Sequence, residues 1–163
     1  MTLRSALPQL LRTNFRNGFV GKGICKGFDL QHGAATNTDC PWWSLPETIR
    51  AASSLHAMAT EGGEGGSEAA AVQATRAFCD ATLSACHNAF CTYFVRYDLP
   101  SGAGAGMAYQ TVDGSQTSET SGMALDVIPA TADADPGYHT GLSLLPVLRD
   151  FEARITAAGG CKL

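Results

Sequence analysis

From Ser67 to Phe94 the chain carries one continuous apolar seam: Val72, Cys79, Leu83, Cys86, Phe90 and Phe94 follow one another at three, four and seven residues. This is the period of an α-helix with one buried face, kept up over about six turns. Such a helix cannot bury its face alone, so other segments must cover it. Three further stretches have the same period. Leu3, Leu7, Leu10, Leu11 and Phe15 predict a helix over 2–16, weakened early by Pro8 and ended by Asn17-Gly18. Leu45, Ile49, Ala52, Leu55 and Ala59 form one face of a helix opening at Ser44, and EGGEGG at 61–66 stops it. Leu142, Leu145, Val147, Leu148, Phe151 and Ile155 are the apolar content of a last helix from about His139 or Thr140 to Ala157. The expected fold class is all-α, in a single domain over 1–163, which is long enough for one core and too short for two.

Between these helices lie two long irregular regions. Residues 17–43 show no periodicity, yet they mix Phe, Ile, Leu and Val with polar residues, which predicts an ordered loop. The second region spans 97–138. Within it MAYQTV at 107–112 suits a short strand or extended edge. EGGEGG at 61–66 and GSQTSETSG at 114–122 read as flexible insertions. SGAGAG at 101–106 follows a helix, the wrong context for a dinucleotide loop.

Composition removes several function classes. A formal charge of -4 and a pI near 5.4 argue against nucleic acid as a partner. No apolar run of membrane-spanning length occurs, so no membrane span is expected. The six cysteines have neither CxxC nor zinc-type Cys/His spacing, and no metal or cofactor is expected. Cys79 and Cys86 lie on the helical seam as small hydrophobes, which favours a reducing compartment such as the cytoplasm. The first 28 residues carry Arg4, Arg12, Arg16, Lys22 and Lys26 with no acid before Asp29, a mitochondrial-presequence bias. The helical spacing of their leucines favours a packed helix instead.

Helix order then places the chemistry. If consecutive helices run antiparallel, the helices starting near 44 and 139 are parallel and their N-termini share one end of the domain. That end gathers Trp42, Trp43, Glu47, Asp135, Tyr138 and His139, with His32 and Asp39 from the first loop. Aromatic rings beside carboxylate and imidazole suit a sugar, which offers apolar CH faces to a ring and hydroxyls to charged groups. Each residue also has a plainer reading. The tryptophans could be core, and Ser44 with Glu47 has the S-x-x-E spacing of a capping box. His139 could simply hydrogen-bond at a helix start, or serve as a base near neutral pH. His56 and His87, with no acidic or metal-type partner nearby in sequence, read as structural.

Two motifs carry a family resemblance. WWSLPE resembles the W-W-x-x-x-E segment of the N-acylglucosamine 2-epimerase superfamily, and GYHTG resembles its P-Y-H-N-G/S segment. The resemblance covers about residues 20 to 157, the C-terminal part of an (α/α)6 toroid shared with six-hairpin glycosidases and lyases. It implies a carbohydrate epimerase or isomerase that moves a proton at C2 of a sugar. Trp43 would stack on the sugar, Glu47 would bind or polarise it, and His139 would act as a general acid/base. Trp42, Tyr138, Asp135, His32 and Asp39 are the remaining candidates for substrate binding. The family's arginine is replaced here by Leu142, and its other catalytic histidine, in an H-x-x-E helix, has no counterpart.

Two other functions fit the same residues. A glycoside hydrolase would pair Glu47 with Asp39 or Asp135. A non-catalytic remnant or sugar-binding module would bind a mono- or oligosaccharide without turnover. About four helices of a twelve-helix toroid would leave one flank open, which predicts self-association through it.

Overall fold

A computed structural model describes residues 3–60, 68–97, 108–115, 139 and 141–159. The four expected helices are present, as α1 (Leu3–Gly18), α2 (Ser44–Thr60), α3 (Glu68–Ala89) and α4 (Gly141–Ala157). The molecule is mostly helical, as expected, with two small antiparallel sheets added. The first long loop holds the strands β1 (Gly27–Asp29), β2 (Ala34–Asn37) and β3 (Asp39–Pro41), and β4 (Thr111–Asp113) follows later. β1 and β2 form one antiparallel pair and β3 and β4 another. The 61–66 insertion lies outside the described residues, as do 116–122 of the second insertion and most of the 97–138 region.

α2 is the central element. Its face of Leu45, Ile49, Ala52 and Leu55 is buried against Cys79, Leu83, Cys86 and Ala89 of α3 and Val147 of α4. Each fully buried aliphatic side chain contributes about 1.5–3 kcal/mol, so this face supplies much of the driving force. Cross-helix contacts give the directions. Glu47 meets His139 and Ser53 meets Asp150, so α2 and α4 run the same way. Asp80 lies beside His56, while His87 and Ile49 line a common groove, so α3 runs against α2. α1 packs across the far side, with Phe15 edge-on to Phe78 and Arg12 donating to the Ala74 carbonyl at 3.1 Å.

The α3 seam ends in a π-helical turn, Phe90–Phe94, which closes with Val95 N–H donating to the Phe90 carbonyl. Phe94 is fully buried there. The three most buried thiols behave as small hydrophobes: burial pushes Cys40 and Cys86 up to about 12 and Cys79 up to about 11. All five described cysteines are free thiols.

The first loop is tied down by backbone hydrogen bonds from Cys25 to Gly18 and from Lys26 to Asp39. β3 and β4 then fix the approach to α2, because Trp42 N–H donates to the Gln110 carbonyl at 3.1 Å. Gly23 is required by close approach, since a Cβ there would stand 2.7 Å from Cys40 Cβ. The loop is therefore a scaffold delivering Trp42 and Trp43 to the start of α2.

Candidate functional site

At the shared end of α2 and α4 the chain brings four candidate residues together. Trp43 immediately precedes α2, and Glu47 projects from its first turn. His139 lies in the turn before α4, two residues ahead of its first residue Gly141, so the helix starts just after the expected 139–140. Glu47 Oε1 is 3.1 Å from His139 Nδ1, and Oε2 accepts from Arg50 Nη2. The His139 ring stacks on Trp43 at 5.4 Å between centroids with 29° between planes. Trp42 meets the same imidazole edge-on at 6.1 Å.

The capping box does not form. α2 already includes Ser44, and the Ser44 hydroxyl donates to the Pro41 carbonyl at 2.7 Å. With the helix starting one residue early, Glu47 is turned toward Arg50 and His139. Its side chain is 22% exposed, so it is screened but reachable.

The two tryptophans separate sharply. Trp42 is 2% exposed and belongs to the core, and its Nε1 has no hydrogen-bond partner among the described residues. Trp43 is 42% exposed. One of its faces is taken by His139, which leaves the rest of the ring as the aromatic surface a ligand could use.

His32 and Asp39 are engaged elsewhere. His32 closes the β1–β2 turn on Asp29 at 2.6 Å, and this hydrogen bond, followed by backbone donors, lowers the Asp29 pKa. Asp39 pairs with Lys26 at 3.6 Å on β3. Asp135 and Tyr138 lie outside the described residues.

Arg50 is the site residue the sequence reading missed. Its signal was the i,i+3 spacing from Glu47 on one helix face. His56 also requires correction, because it does have an acidic neighbour: Asp80 Oδ1 lies 3.6 Å from its Nε2, and Arg154 reaches the same oxygen at 3.8 Å. Burial, then the nearby Arg154 charge, lowers the His56 pKa. His87 has Cys91 Sγ at 3.7 Å, one turn on.

In chemical terms the site holds a carboxylate, an imidazole and a guanidinium beside an exposed indole. An ionised carboxylate only accepts hydrogen bonds, so Glu47 favours the tautomer with the proton on Nδ1 and the lone pair on Nε2. Among the described residues no group of three His, Cys, Asp or Glu side chains is placed to hold a metal ion. No described helix is long and apolar enough to cross a membrane.

No family model, curated protein or solved structure matches the chain. The reading of its function therefore rests on the site itself and on the motif resemblance.

Proposed function

We propose that this chain is the C-terminal part of a carbohydrate-active (α/α) toroid, most like a sugar 2-epimerase or isomerase. The observation that carries this reading is the Glu47 carboxylate 3.1 Å from His139 Nδ1, against the ring of half-exposed Trp43. In the open-chain form of an aldose, the C2 hydrogen is acidified by the neighbouring C1 carbonyl. His139 Nε2 takes that proton, and Glu47 stabilises the imidazolium that results. Returning the proton to C1 on the same face, as the O2 hydroxyl proton passes to O1, gives the ketose. Returning it to the opposite face of C2 requires a second acid/base, so one histidine is sufficient for isomerisation and not for epimerisation.

Trp43 supplies the stacking surface, and buried Trp42 meets the His139 ring edge-on. Arg50 holds the second oxygen of Glu47 and keeps that carboxylate oriented. The glycosidase alternative has less support. It needs a second carboxylate facing Glu47; Asp39 is instead paired with Lys26, and Asp135 lies outside the described residues.

The test is turnover of a panel of aldoses and disaccharides by the wild type and by the double variant Glu47→Gln/His139→Asn. Turnover lost in the double variant is the expected result. Full turnover in that variant contradicts the assignment. Tryptophan fluorescence quenched by a sugar, with no turnover in the wild type, indicates a sugar-binding module instead.

A further inference from the structure

α3 and α4 both flank α2, joined at one end by the Arg154–Asp80 ion pair. The space between them is an open groove of about 580 Å³, floored by Ile49 and Leu83 and walled by His87, Leu144, Leu148 and Phe151. Along α4 the residues Leu144, Leu148, Phe151 and Ile155 follow one another at four, three and four residues, the a/d spacing of a coiled-coil seam. Leu144 is partly buried, but Leu148 is 58% exposed and Phe151 and Ile155 are each 40% exposed. An apolar helical seam beside an apolar groove is the surface of a helix-in-groove interface.

We propose that the occupant of this groove is α4 of a second copy of the chain, lying antiparallel about a two-fold axis. The seam is self-complementary in that arrangement. With the axis between Arg149 and Asp150, Leu148 of each copy faces Phe151 of the other, and Leu144 faces Ile155. Arg149 of one copy then comes nearly level with Glu152 of the second copy on the same flank, so the pairing also matches charge. Asp150 and Arg154 stay with their own chain, on Ser53 and Asp80.

The area agrees. The exposed parts of Leu145, Leu148, Phe151 and Ile155 amount to roughly 350–450 Å² per copy, within the range of the largest apolar patch on a typical monomer. With the groove walls included, the pair approaches the lower end of stable interfaces, about 1,200 Å² in total. A two-fold axis makes the contact isologous and closed, so it yields dimers and no filaments.

Sedimentation equilibrium of the full chain tests this across a wide concentration range. The wild type is expected to be a dimer dissociating to monomer on dilution. Leu148→Glu puts two carboxylates into the seam and is expected to weaken the dimer by at least roughly a hundredfold. Its far-UV circular dichroism should match the wild type, because Leu148 is mostly exposed. Arg149→Glu or Glu152→Arg alone opposes like charges twice per dimer, weakening it by roughly tenfold, and the double reversal is expected to restore it. A wild type that is monomeric throughout, or a dimer that survives Leu148→Glu, overturns the proposal. Single reversals without effect, or a double reversal that does not rescue, overturn the antiparallel register.

Discussion

Glu47 holds the candidate site together through its two oxygens, one on Arg50 and the other on His139. If that carboxylate sets the imidazole tautomer, neutral His139 should carry its proton on Nδ1 in the wild type and show a mixed population in Glu47→Leu. Nitrogen-15 chemical shifts of the ring report this directly, and an unchanged population would refute the role given to Glu47. A second prediction at this scale concerns Gly23. A methyl group there meets Cys40 Cβ at 2.7 Å, so Gly23→Ala should cost about 1–3 kcal/mol, read from the urea midpoint. Single residues were unevenly legible. The tryptophan pair and His139 stood out by type, whereas the exposure of Trp43 against the burial of Trp42 depends on which ring the β3–β4 pair turns inward. Arg50 was hidden by an ordinary helical spacing.

Among the elements, the polar contacts between α2, α3 and α4 add a pH dependence. Ser53 donates to Asp150 at 2.7 Å, and Asp80 sits between His56 and Arg154. The His56 pKa is lowered from 6.5, so between the folded and unfolded values the unfolded chain binds more protons. Stability from this group is therefore present above about pH 6.5 and lost as pH falls through the lower, folded value. Urea unfolding at a series of pH values should show that decline, and His56→Gln should reduce it. An identical pH dependence in the variant would remove His56 as the cause. The four helices were legible because their apolar spacing persists for several turns. The strands were not, apart from the extended stretch at 107–112, since three or four residues are too few for alternation to register and their pairing is set by tertiary contacts. The capping box failed for a related reason. β3 and β4 fix the backbone before Ser44, so the helix starts a residue early and Glu47 is directed elsewhere.

At the scale of the whole molecule, α2 is covered on three sides by α1, α3 and α4, and the groove between α3 and α4 stays open. The same apolar residues that announced the last helix in the sequence are largely exposed along it, because helical spacing shows that a face is apolar without showing what covers it. If a second copy covers this face, the melting temperature should rise with protein concentration, and Leu148→Glu should abolish that rise. A concentration-independent midpoint in the wild type would count against association. The parallel course of α2 and α4 has the larger consequence for function, since it brings Trp43, Glu47 and His139 to one end. The most direct test of that end as a proton-transfer site is exchange of the C2 hydrogen of aldoses in deuterium oxide, followed by proton NMR. The account predicts loss of the C2 signal with the wild type and none with His139→Asn; no exchange with the wild type on any aldose, or equal exchange in the variant, would contradict it.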